Sequence, residues 1–106
     1  MPTYAPSGWT ALGDPTRRTI FVRLAERPRA VSELAGELPV SRPAVSQHLK
    51  VLKSAGLVID RQAGKQRIYQ VRPDGLAELR AELEEFWTKT LAAYKAVVEQ
   101  PTKEDR

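Results

Sequence analysis

The stretch Ser41-Arg-Pro-Ala-Val-Ser-Gln-His-Leu-Lys-Val-Leu-Lys-Ser-Ala-Gly-Leu-Val58 decides the fold. Ser41 is a helix N-cap residue, and Pro43 falls in the first helical turn, where its missing N–H is tolerated. Gly56 stops the helix they start, which spans about residues 41–55. With Val45 set at zero and about 100° per residue, Leu49 and Leu52 fall within about 40° of it. Ala44, His48 and Val51 flank that apolar side. The opposite side, between about 100° and 200°, holds Pro43, Ser46, Gln47, Lys50 and Ser54, with no large hydrophobe. It offers hydroxyl, amide and ammonium groups, which can read base edges and phosphates in a major groove. Arg42 stands at the N-terminal end, where helix-turn-helix proteins make most base contacts.

Upstream, Val31, Leu34 and Leu38 mark a helix over residues 31–38, joined to the next by a tight turn at Pro39 and Val40. Ala30 takes its capping position and is a poor cap, so the first turn is expected to fray. Earlier, Asp14 offers an N-cap and Pro15 a first helical position. Ile20, Phe21, Leu24 and Ala25 follow at helical spacing, and Pro28 ends that helix. A short apolar piece, residues 9–12, precedes it. Downstream the period changes: residues 57–61 and 67–71 read as strands around the tip Gln62-Ala-Gly-Lys-Gln66, with its turn at Gly64. Pro73, Asp74 and Gly75 open a last helix to about residue 100. The expected class is mainly α with a small β-hairpin, a winged helix-turn-helix. One domain covers residues 8–100, with tails at 1–7 and 101–106.

Charge is distributed unevenly. Residues 39–72 carry seven Lys or Arg against the single acid Asp60, a net +6, whereas residues 73–106 carry five bases and eight acids, a net −3. Confinement of positive charge to one third of the chain points to a polyanion. Arg61, Lys65 and Arg67 cluster around Gly64, and such a tip can follow a phosphate backbone or enter a minor groove. A basic hairpin edge can also serve only to block aggregation, and a polar helix face is ordinary. Their occurrence together, in this order, favours double-stranded DNA as partner. The alternative is a winged-helix protein-interaction module that does not bind DNA. That module should expose an apolar patch where residues 43–54 are polar.

Other functions are not supported by the residues. There is no cysteine, which excludes disulfides, thiolate metal sites and cysteine nucleophiles. His48 is the single histidine and turns toward the buried side, so a structural role is expected and no metal. No phosphate loop, nucleophile elbow or paired carboxylate is present, so neither an enzyme nor a cofactor is expected. Glu82, Glu84 and Glu85 read as solvated. No run reaches the roughly 18 apolar residues of a membrane helix, and residues 1–7 lack a signal-peptide pattern, so a cytoplasmic protein is expected. The last helix carries Leu76, Leu79, Leu83, Phe86, Trp87, Leu91, Tyr94, Val97 and Val98. That is more apolar surface than a small core can cover, so a homodimer is expected.

Leu12-Gly-Asp-Pro-Thr-Arg17, the Ser41–Val58 stretch and Gly64-Lys-Gln-Arg-Ile-Tyr69 together resemble the ArsR (ArsR/SmtB) family of bacterial repressors. The resemblance covers about residues 9–98. It implies a dimeric winged helix joined through its first and last helices, with Trp9, Leu12, Leu79, Leu83, Phe86, Trp87, Leu91 and Tyr94 at the interface. By position, Arg42, Pro43, Ser46 and Gln47 match the family's DNA-contacting residues, and Lys50 shares their helix face. A two-fold protein reads two half-sites, so an imperfect inverted repeat is the expected operator. The family's metal-sensing motifs are missing. Glu33-Leu-Ala-Gly-Glu37 stands where many members carry a cysteine pair, and the last helix has no histidine. The resemblance is therefore to the branch without a metal sensor, and the identity of any small-molecule inducer does not follow from the sequence.

Overall fold

A computed structural model of the chain describes residues 7–100. Of the tails expected at 1–7 and 101–106, residues 1–6 and 101–106 lie outside the described residues, while the Ser7 hydroxyl accepts from the Thr10 amide and caps the first helix. The elements run α1 (Gly8–Ala11), α2 (Pro15–Glu26), β1 (Arg29–Ala30), α3 (Val31–Glu37), α4 (Arg42–Ser54), β2 (Val58–Ala63), β3 (Gln66–Val71) and α5 (Pro73–Glu99). This is the expected winged helix-turn-helix. The hairpin is extended to a three-stranded antiparallel sheet in the order β1-β3-β2.

The helix starts follow from their caps. The Asp14 carboxylate accepts from the Arg17 amide at 2.8 Å, and Ser41 Oγ from the Ala44 amide at 3.3 Å. At α2's other end Arg27 is extended, as a residue before proline prefers, and this turns the chain into β1. The start of α3 departs from expectation. Ala30 supplies no side-chain cap, but Glu33 reaches back to accept from the Ala30 amide at 3.0 Å. Glu33 is itself paired with Arg27 at 3.0 Å, and Ala30 is paired with Ile68 in the sheet. The first turn is thus held by half of a capping box.

Ala11, Ile20, Phe21, Leu24, Leu34, Val45, Leu49, Leu52, Leu57 and Val58 form one core between the helices and the sheet. It contains the apolar face predicted for α4. Beside it lies Arg29, 7% exposed, whose guanidinium meets Glu37 at 2.9 Å and Glu26 at 3.6 Å and donates to the Arg23 carbonyl. This network ties the end of α2 to β1 and α3.

Helix α5 starts against the turn after α4. The Arg72 amide donates to the Leu57 carbonyl at 2.9 Å, and Gly75 is the helix's one buried residue. Leu79 is half-buried near Gly8 and Leu57, and every residue from Arg80 to Gln100 is exposed. The radius of gyration, 19.1 Å, reflects the projecting helix; a compact chain of this length has about 13 Å. No helix is long and apolar enough to cross a membrane among the described residues.

Candidate nucleic-acid interface

The capped start of α4 and the burial of Val45, Leu49 and Leu52 fix which side of that helix faces outward. Arg42, Pro43, Ser46, Gln47 and Lys50, the five residues predicted on α4, are all exposed. His48 is half-buried, as expected, and its ring has specific company. The Arg17 guanidinium lies 3.2 Å from His48 Nδ1 and also donates to the Ala11 carbonyl at the end of α1. Asp14 Oδ2 lies 3.9 Å from the same ring nitrogen. Its carboxyl is held below the usual carboxylate range, first by the hydrogen bond from the Arg17 amide.

The hairpin tip is the two-residue turn Gly64-Lys65, closed by the Ala63–Gln66 pair. Positive φ at Gly64 (62°) alone is the pattern of a type II′ turn. Arg61, Lys65 and Arg67 are exposed, but they do not share a face. Arg61 lies opposite Ile68 in the ladder, and Arg67 opposite Gln62. Side chains alternate along a strand, so Arg61 and Arg67 project from opposite faces of the hairpin. Pairing in the sheet, which residue spacing alone could not give, separates them.

Arg67 and Lys65 instead join Arg42. Together with Ala30, Val31, Ser32 and Gln66 they line a cleft of about 310 Å³ between the wing, the start of α3 and the start of α4. Among the described residues, Arg42 and Lys65 make no ion pair, and no acid lines the cleft. Sequence reasoning missed Ser32 and Gln66. The Gln66 amide lies 3.5 Å from the Ser32 hydroxyl, across 34 positions of chain.

The lone acid of the basic third has a structural role that its position in the sequence does not show. Asp60 accepts from Lys53 Nζ at 2.8 Å and faces Arg67 Nε at 3.4 Å. Its side chain is 8% exposed. It bridges a cation of α4 to a cation of the wing. The Lys53 hydrogen bond holds its carboxyl below the usual range, against the opposing effect of burial.

The surface formed by α1 and α5 is apolar. Trp9, Leu83, Phe86, Trp87, Leu91 and Tyr94 are exposed, while Leu12 and Leu79 are half-buried. Trp9 and Phe86 rings tilt together at 6.3 Å between centroids. Trp9, Leu12, Leu79 and Leu83 line a groove of about 490 Å³ between α1 and α5. The α5 glutamates pair locally, Glu84 with Arg80 at 3.1 Å and Glu85 with Lys89 at 2.8 Å.

Comparison with known proteins agrees with this geometry. The family model for the bacterial regulatory proteins of the arsR family matches residues 14–60. The HTH-type transcriptional regulator Rv2034 of Mycobacterium tuberculosis is 60% identical over 91 residues, covering 86% of this chain and 85% of that protein. The HTH-type transcriptional repressor SmtB of the same species is 42% identical over 69 residues, 65% of this chain and 51% of that one. Among solved structures, an ArsR-like transcriptional regulator from Rhodococcus sp. RHA1 superposes with a TM-score of 0.70 at 34% identity, covering 88% of this chain and 91% of its own.

Proposed function

The chain belongs to the arsR family of bacterial regulatory proteins, DNA-binding transcriptional regulators and not enzymes, and we propose that it represses transcription as a cytoplasmic homodimer. Its target is an imperfect inverted repeat, the promoter of its own gene included. Each α4 lies in a major groove with Arg42, Pro43, Ser46, Gln47 and Lys50 toward the bases and flanking phosphates. Each wing brings Lys65 and Arg67 to the backbone or minor groove, with Arg61 on the other face of the hairpin in a lesser part. The observation that carries this reading is the outward face of α4. It is polar, cationic and free of large hydrophobes, and it opens onto the basic cleft of the wing. A protein-interaction module would present an apolar surface there.

The dimer is supported by the surface of α1 and α5. Trp9, Leu83, Phe86, Trp87, Leu91 and Tyr94 are too large an apolar stripe to leave in water. A two-fold contact through α1 and α5 buries it and leaves both α4 helices outward, about 34–36 Å apart, one turn of DNA.

The test is a footprint on the DNA upstream of the gene, with the purified protein. Two protected half-sites centred about one helical turn apart support the reading. Failure to protect that DNA, together with failure to enrich any sequence from a random duplex pool at micromolar protein, rejects it.

A further inference from the structure

We propose that the cleft formed by Ser32, Arg42, Lys65, Gln66 and Arg67 is a seat for one backbone phosphate of bound DNA, built jointly by the wing and both helices of the helix-turn-helix. The inference rests on the DNA-binding reading above and adds to it a defined anion site and two residues, Ser32 and Gln66, that no sequence pattern singled out.

Three cations line this one cleft, and no carboxylate does. Arg42 and Lys65 have no acidic partner among the described residues, and Arg67 approaches Asp60 with its Nε at 3.4 Å. Its two terminal nitrogens remain available as donors. Like charges gathered this way repel one another unless an anion neutralises them. The Ser32 hydroxyl and the Gln66 amide supply neutral donors, and their present contact is long, 3.5 Å, so it is readily exchanged for an anion. A cleft of about 310 Å³ admits a phosphodiester and is too shallow and polar for an apolar ligand. Its position fixes the source of the phosphate. Arg42 begins the helix assigned to the groove, so the strand that borders that groove runs past the cleft. The partners come from three elements, so a phosphate seated there holds wing and recognition helix in one register. Free phosphate has the same chemistry but lacks the neighbouring contacts of a duplex.

The test combines protein variants with chemically altered DNA. Footprinted operator duplexes are made with each phosphate replaced in turn by an uncharged methylphosphonate. Wild-type, Ser32→Ala, Lys65→Ala and Gln47→Ala proteins are titrated against each. One position per half-site should weaken wild-type binding roughly tenfold, the worth of a charge-assisted hydrogen bond. At that position Lys65→Ala should lose little more, because its partner is already gone, while Gln47→Ala should still lose the full amount. Ser32→Ala should weaken binding to the unmodified operator and to random DNA alike. Titrating inorganic phosphate while following the Ser32 and Gln66 amide resonances should give only weak, millimolar binding. Saturation at micromolar phosphate would make free phosphate the ligand and overturn the proposal. If no position shows this masking by Lys65→Ala while Gln47→Ala still loses operator affinity, the cleft is not a phosphate seat and the DNA-binding reading stands. If the wild type binds no duplex, both fall.

Discussion

A β-carbon on Gly75 would lie 1.8 Å from the carbonyl oxygen of Gly56, so helix α5 rests backbone against backbone on the turn that ends α4. Gly56 has φ +76°, and its carbonyl also accepts from the Arg72 guanidinium at 3.3 Å. Nothing here is a flexible side chain that could move aside. Gly75→Ala should therefore destabilise the fold by about 1–3 kcal/mol, the usual cost of overpacking. Urea unfolding measures it; an unchanged midpoint would show that α5 can lift off the turn at no cost.

The apolar stripe yields a prediction about mass. Phe86 is 60% exposed and makes its ring contact with Trp9 within the same surface, so Phe86→Glu should leave the core intact. Light scattering should give twice 11.9 kDa for the wild type and a lower mass for the variant. Helical circular dichroism should be kept, while operator affinity falls. A wild type that scatters as a monomer at micromolar concentration would count against the seam.

The two elements proposed to meet DNA, α4 and the wing, should separate by their specificity and salt response. Gln47 sits centrally on the outward face of α4, and its amide can pair with an adenine edge. Gln47→Ala should cost ~1–3 kcal/mol on the operator and little on random DNA. Arg67→Ala should weaken both DNAs and reduce the slope of log affinity against log salt by ~1 per protomer. Arg61 projects from the other hairpin face, so Arg61→Ala should change that slope less than Arg67→Ala does. Equal effects would mean that both faces of the hairpin reach the backbone.

Asp60 makes a pH prediction. Its carboxyl titrates below the usual value, chiefly through the hydrogen bond from Lys53. A carboxyl with a depressed folded-state value stabilises the protein above its unfolded value, about 3.9 for Asp, and loses that contribution as pH falls through the lower folded value. Glu33, Glu37 and Asp14 are depressed as well, so the wild type should lose stability steadily on acidification. Asp60→Asn should start less stable at neutral pH and lose less between pH 5 and 2. Parallel curves would show that the bridge to Lys53 and Arg67 is energetically idle, as many exposed pairs are.

Zinc and arsenite should both fail to release the protein from DNA at micromolar levels. The chain has no cysteine, and its one histidine lies against Arg17. Gel shifts with either metal species added to the complex check this. A stoichiometric release by zinc would point to His48 or the α5 glutamates as ligands.

Most of the architecture was legible because it is local. Caps at Asp14 and Ser41, the turn glycines and the apolar spacing of α4 each act within a few residues. What escaped depends on distant pairing. β1 is two residues long, too short for a periodic signal, and exists because Pro28 extends the chain beside Tyr69 and Ile68. Ala30 has no capping side chain, and only the structure shows that Glu33 reaches backward to its amide. Arg61 and Arg67 looked like one cluster until the ladder register put them on opposite faces. Ser32 and Gln66 are unremarkable in sequence and meet only because β3 pairs with β1. The residues of the α4 face could be listed in advance; the cleft they share with the wing could not.

Helix α5 is anchored near its start, through Gly75 and Leu79, and residues 80–99 then project for about 30 Å. It is a lever with its fulcrum at Gly75. A tilt of roughly 5° there moves the far end by about 3 Å over that length. In a two-fold assembly held by such levers, a small change of angle at the base becomes a change in the distance between the two reading heads. In the proposed dimer, the groove between α1 and α5 near Leu79 lies at the short arm of that lever, far from the residues proposed to meet a base.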